Sequence, residues 1–162
     1  MLTWSAAWYD SPDDVMGDSL HHYSNRSRWH KDDFPIVKSL WPLLDEADVV
    51  VAHNGDRFDL PKINARFITH DITPPAPYQT IDTLKVARRK FMFGSNKLSY
   101  ICDVLGVTQK QSNRGQVLWA ECCDGRLQAF EEMLEYNRGD IRSLYEVYLK
   151  LRPWIPSHPN RS

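Results

Sequence analysis

The chain is poor in cysteine, in long apolar runs and in net charge. Its 162 residues include three cysteines, two of them adjacent at Cys122 and Cys123. That is no disulfide framework and no pair with zinc-ligand spacing, so a reduced cytoplasmic setting is the default expectation. No apolar stretch approaches the ~18 residues that a membrane span requires; none is longer than the short run at 49–52. The opening MLTWSAAWYD lacks the basic cluster and apolar core of a secretion signal. Internal repeats and low-complexity tracts are absent. A net charge of −1 provides no global field, so any affinity for nucleic acid must come from a local basic patch. What remains is a globular composition, 42% hydrophobic and 25% charged, sufficient for one domain with a single core. That domain is expected over residues 1–152, followed by a Pro-rich tail at 153–162.

Local patterns give an α/β chain. Residues 2–9 are aromatic-rich and end in the turn-like Asp10-Ser11-Pro12-Asp13-Asp14, which predicts a strand. Residues 15–23 are a weaker strand candidate. Phe34, Val37, Leu40, Trp41 and Leu44 recur at helical spacing, with Asp32 or Asp33 as N-cap and Pro35 tolerable in the first turn. The apolar run Val49-Val50-Val51-Ala52, bounded by His53-Asn54-Gly55, suits a strand buried on both faces. A helix with Leu60, Ile63 and Phe67 inward follows, and the prolines at 74, 75 and 77 break it. Residues 80–84 read as a strand passing into a helix. Ser95 is a candidate cap for a helix that Gly106 ends. The last third is helical from 127 to 151, with Gly139 a candidate interruption. Strands first and helices later make the class α/β.

Three local features carry chemistry. Asp59 stands in His53-Asn54-Gly55-Asp56-Arg57-Phe58-Asp59, between a strand and a helix, where α/β sheets gather functional groups. It is either a hard oxygen ligand suited to Mg²⁺ or Mn²⁺ or the cap of the next helix. Tyr136 and Asp140 lie four residues apart and share one helix face. They form either a metal carboxylate with a water-orienting phenol, or a core aromatic and a cap after a break at Gly139. Asp82, an acid in an apolar strand, needs partners; it serves either as a structural hydrogen-bond acceptor or beside the site. The segment Arg88-Arg89-Lys90-Phe91-Met92-Phe93 with Lys97, extended by Lys110 and Arg114, combines charge with stacking surface. Its alternative is a solvated helix end with Phe91 and Phe93 in the core. His21, His22 and His30 fit no common metal spacing, and the six tryptophans are expected mostly in the core.

In order, these pieces resemble the DEDD 3′–5′ exonucleases of the RNase H-like superfamily. VVVAHNGDRFDLPKINARF resembles the second exonuclease motif, and YNRGDIRSLYEVY resembles the third in its tyrosine form. IDTLKVARRKF looks like the strand between them. With SNKLSYICDVLGV and the stretch around Trp119 and Gly125, the likeness is closest to exonucleases predicted in tailed-bacteriophage replication regions. The resemblance implies a DnaQ-like mixed sheet flanked by helices. It also implies hydrolysis of DNA phosphodiester bonds by two metal ions, Mg²⁺ or Mn²⁺. Asp59 and Asp140 are then metal ligands, and Tyr136 positions the nucleophilic water. Asn54, Phe58, Arg88, Arg89, Lys90 and Lys97 contact substrate, with Asp82 supporting the site. The implied partners are single-stranded DNA and replication proteins, in the cytoplasm of a bacterial host.

One family signature is missing. Members begin with a strand bearing Asp-x-Glu, and this sequence contains no Asp-x-Glu; LTWSAAWYD aligns with the strand after it. Two of the four family carboxylates are present. The expectation is an N-terminally truncated domain, a strand supplied by another polypeptide, or a catalytically impaired module that binds nucleic acid or a replication partner. A sheet short of a strand has open edges that favour self-association.

Overall fold

The structure, a computed structural model, describes residues 1–23, 32–108 and 114–159. Among the described residues, four short strands and six helices follow one another as β1 (Thr3–Ala6), β2 (Met16–Ser19), α1 (Phe34–Glu46), β3 (Val49–Ala52), α2 (Asp59–Thr69), β4 (Gln79–Asp82), α3 (Thr83–Lys90), α4 (Leu98–Leu105), α5 (Gln116–Cys123) and α6 (Leu127–Leu151). The chain divides into two compact units. Met1–Trp41 and Lys110–Arg142 form the first; Pro42–Gln109 and Ser143–Ser162 form the second.

In the first unit β1 and β2 pair antiparallel, with Thr3 opposite Ser19 and Ala6 opposite Met16. The strand expected over 15–23 is shorter. It yields to a 3₁₀ turn at Leu20–Tyr23, because Asp18 gathers that turn around its own carboxylate, accepting from the Ser19 amide at 2.8 Å, from His22 and from the Tyr23 hydroxyl. His21 bonds Ser19 and lies 5.5 Å from the Phe130 ring. Both histidines thus have structural partners; His30 lies outside the described residues. Ile36, Leu118, Cys122 and Phe130 form the core with Leu20 and Ala129. The helix α5 that supplies Leu118 and Cys122 was not anticipated, because its sequence QVLWAECC is apolar almost all round and has no single stripe.

Helix α6 crosses the β1–β2 ribbon at close range. A Cβ on Gly17 would lie 2.9 Å from Leu134 Cδ1, from Ser5 Oγ and from the Trp4 carbonyl oxygen. Asn137 Nδ2 donates to Thr3 Oγ1 at 2.6 Å. The candidate interruption at Gly139 does not occur, and α6 runs unbroken for 25 residues. A single glycine costs a helix only about 1 kcal/mol, which the flanking turns absorb.

In the second unit β3 and β4 pair parallel, Val49 opposite Gln79 and Ala52 opposite Asp82. The mixed sheet expected from the sequence is therefore, among the described residues, two separate two-stranded sheets. Nor is β3 buried on both faces. All four of its residues are half-buried, since a strand with one neighbour leaves the other edge uncovered. The core gathers Ala87, Ile101, Cys102, Val107, Val147 and Leu151, with Phe91 and Phe93 packed against it. Gly106 ends α4 in the left-handed region at φ 67°, as expected. Lys97 rather than Ser95 occupies the N-cap position of α4, and the Ser95 hydroxyl accepts from the Lys97 amide at 3.3 Å. In the 153–162 segment, His158 is buried and bonds Tyr148 of α6.

The two glycines make opposite predictions. Gly17→Ala forces three contacts at once and is expected to cost about 1–3 kcal/mol. Gly139→Ala meets nothing within 4 Å and is expected to gain about 0.5–1 kcal/mol. Urea unfolding of the two variants beside wild type checks both signs.

Candidate functional site

The carboxyl ends of β3 and β4 lie side by side, and one side chain ties together the two segments that leave them. Asp82 Oδ1 accepts from the Asn54 amide at 2.8 Å and from the Leu84 amide at 3.0 Å; Oδ2 accepts from the Asp56 amide at 3.3 Å. Asp82 is the N-cap of α3 and simultaneously the anchor of the turn after β3. Of the two readings open for Asp82, the hydrogen-bond role is the one observed, and three backbone donors meet the need of a buried carboxylate for partners.

The turn itself is tightly specified. Asn54 sits in the left-handed region at φ 64°, a conformation that asparagine tolerates. A Cβ on Gly55 would lie 2.4 Å from Ala52 Cβ. The Phe58 amide donates to the Asn54 carbonyl and the Leu60 amide to the Gly55 carbonyl. His53, noted in the sequence only as part of the turn, is a second anchor. Its Nε2 donates to the Asn96 carbonyl at 2.9 Å, and its Nδ1 lies 2.9 Å from Thr83 Oγ1. A histidine immediately after a strand, with both ring nitrogens engaged, thus joins the turn, the start of α3 and the 91–97 segment. Burial lowers its pKa, outweighing the opposing pull of the Asn96 bond and of the Asp82 charge.

Asp59 is the first residue of α2, not its cap. The cap position is Phe58, which makes no side-chain cap bond. Asp59 is exposed by area, yet enough protein surrounds its carboxyl for desolvation to raise its pKa; Lys62 pulls it down and the Asp82 charge adds to the rise. Phe58 is half exposed to solvent, with Lys62 Nζ 3.5 Å above its ring centroid. Asp56 is engaged by Lys85 at 2.6 Å.

Tyr136 and Asp140 lie in the part of α6 that belongs to the first unit. Their side chains are hydrogen-bonded across one turn, the phenol donating to the carboxylate. Asp140 in mid-helix is no cap. Burial pushes its carboxyl up to about 6, with the Tyr136 bond opposing. Burial, the Asp140 charge and the shared bond raise Tyr136 in turn.

Arg88, Arg89 and Lys90 close α3 and are all exposed, as is Lys97. Phe91 and Phe93 are not free platforms. They stack on each other at 5.2 Å and pack on the core. Arg114 does not extend the basic character, because Glu132 and Glu121 hold its guanidinium; Lys110 lies outside the described residues. Of the six tryptophans, Trp119 and Trp154 are exposed and none of the others described is fully buried, a correction to the expected core placement.

The donor set can be tested against the metals that the sequence implied. Asp82 is committed to three amides, His53 to two partners and Asp56 to Lys85. Among the described residues no three acidic, histidine or cysteine side chains converge as a metal site requires. Asp59 and Asp140, one in each unit, are too few to hold two divalent ions. The residues present do not fit a two-metal centre by themselves.

Asp140 makes a pH prediction. Its native carboxyl keeps a proton to higher pH than the unfolded chain, whose value is near 3.8. Between about 4 and 6 the native state binds more protons, so this group's contribution to stability falls as pH rises through that window and stays lost above it. Asp140→Asn is expected to gain about 1–2 kcal/mol at pH 8, discounted for partial solvent screening, and nothing at pH 4. Thermal unfolding at the two pH values checks it.

No helix among the described residues is long and apolar enough to cross a membrane. Neither the curated proteins nor the solved structures provide a match. A family model of the RNase H superfamily matches residues 14–152, a span that contains the β3–β4 pair, the Asp82-anchored turn and the Tyr136–Asp140 pair. By that match the chain belongs to the RNase H superfamily.

Proposed function

We propose that this chain is a 3′–5′ exonuclease-type domain of the DEDD branch, in its tyrosine form, hydrolysing phosphodiester bonds of DNA in phage replication or nucleic-acid processing in a bacterial cytoplasm. The observation that carries the reading is the Tyr136–Asp140 pair. An unbroken helix holds the phenol against a carboxyl lifted to about 6, and perturbed carboxyls of this kind concentrate at working sites. Superfamily membership makes nuclease-type chemistry on nucleic acid the general expectation.

In this reading Asp59 and Asp140 contribute carboxylates, and Tyr136 orients the attacking water. Asn54, Phe58 and the exposed cations Arg88, Arg89, Lys90 and Lys97 hold a single strand. Asp82 supports the site indirectly, by fixing the turn that carries Asn54. Full activity needs carboxylates beyond Asp59 and Asp140. That shortage favours a second reading, a module that binds nucleic acid or a replication protein without cleaving it.

One assay separates the two. The protein is incubated with 5′-labelled single-stranded DNA in Mn²⁺, Mg²⁺ or EDTA, with Asp140→Ala alongside. The first reading expects a weak ladder shortening from the 3′ end, lost in EDTA and lost in Asp140→Ala. Binding without cleavage selects the second reading, and neither binding nor cleavage sinks the nuclease and the nucleic-acid module together, leaving only a module for a replication protein. The open edges of the two-stranded sheets further predict self-association; sedimentation as a clean monomer at micromolar concentration would count against it.

A further inference from the structure

We propose that Trp154 is a stacking platform for a base of a single-stranded nucleic acid whose backbone is held by Arg88, Arg89 and Lys90. The proposal rests on the nucleic-acid reading above and adds a contact that the sequence did not suggest. Trp154 lies in the 3₁₀ turn Arg152–Trp154 that follows α6. It is 57% exposed, an unusual place for the largest apolar ring. It is not loose, however. Its ring meets Phe91 edge-on, with centroids 5.2 Å apart and planes at 72°. Phe91 stacks in turn on Phe93, and both pack on the core of the second unit. The two phenylalanines are therefore the buttress, and the tryptophan is the surface they support.

Charge decides which occupant this surface suits. Phe91 directly follows Arg88-Arg89-Lys90, three exposed cations that make no ion pair among the described residues. Unneutralised cations beside a rigid exposed aromatic are the two components by which proteins hold single strands: phosphates track the charge and a base stacks on the ring. Met92, wholly exposed between the two phenylalanines, adds a soft apolar contact. The other exposed tryptophan makes the contrast. Trp119 is 58% exposed, but the cations near it in sequence, Arg114 and Arg126, are already neutralised by Glu121 and Glu132. Among the described residues near it in sequence, phosphates would find no unpaired cation.

The test measures binding of the full chain to a fluorescein-labelled oligothymidylate by anisotropy across a salt series. Trp154→Ala is expected to weaken binding about tenfold with the salt slope unchanged, as loss of one stacked base predicts. Trp154→Phe should recover most of the affinity. The triple variant Arg88→Gln, Arg89→Gln, Lys90→Gln should instead flatten the slope of log K against log salt by roughly 2, and Trp119→Ala should match wild type. Intrinsic tryptophan fluorescence gives a readout that a structural role would not move: oligonucleotide quenches it in wild type, and the quench shrinks in Trp154→Phe although binding persists. If wild type binds and Trp154→Ala stays within twofold of it, the platform is wrong and the nucleic-acid reading stands. If wild type binds no oligonucleotide at low salt, that reading fails and the platform with it.

Discussion

A single buried carboxylate organises the second unit. Asp82 faces Ala52 in the parallel register, so it emerges where both strands end. There two unsatisfied segments meet, the turn leaving β3 and the amino end of α3. Each exposes backbone N–H groups that no ladder or helix can satisfy. Placing one acceptor between them meets both needs, and it fixes the path of the chain from Asn54 to Asp59. Substituting a side chain without an acceptor would orphan three amides, a far larger loss than one ordinary hydrogen bond. His53 repeats the device one layer out, reaching the Asn96 carbonyl and so linking the same turn to the segment that ends in Lys97.

The sequence was most informative where a pattern was long. The long helix α6 was legible over 127 to 151, and the Pro and Gly punctuation around α2 and α4 was equally legible. Strand length was less so, because runs of four residues leave little alternation to read. The division into two small sheets was invisible. Pairing depends on partners remote in sequence, and a continuous apolar run such as Val49–Ala52 looks the same whether covered on one side or both. Helix α5 escaped for a related reason, since a helix apolar all round has no period.

The candidate site was legible in its parts and ambiguous in their roles. Residue types and spacing identified Asp59, Asp82, Tyr136 and Asp140, but each had a structural alternative that only geometry resolves. Asp82 fell to the structural side, through its three amide partners. For Asp59 and Asp140 geometry removes only the cap alternative, because Phe58 holds the cap position of α2 and Gly139 does not break α6; their catalytic role belongs to the proposal. Phe91 and Phe93 show the converse. An Arg-Arg-Lys-Phe-Met-Phe string reads as alternating charge and stacking surface, yet the rings turn inward and the exposed aromatic comes from residue 154, 63 positions after Phe91. Distance along the chain hid that neighbour.

The division of the chain into units has a practical corollary. Each unit is assembled from two separate stretches, and the chain passes between them three times, after Trp41, Gln109 and Arg142. Two of those passages fall inside helices, α1 and α6. Cutting the polypeptide at any one point therefore cannot separate one unit cleanly from the other. A fragment that begins at Pro42 takes the entire second unit but also a stray half of the first, with Leu118, Cys122 and Phe130 stripped of Leu20 and Ile36. Deletion mapping by terminal truncation would thus misreport where a function resides: a chain shortened past Asp59 from the N-terminus has already lost Leu20 and Ile36, and one shortened past Asp140 from the C-terminus has already lost Val147 and Leu151. Point substitutions in the intact chain are the sound way to dissect this protein.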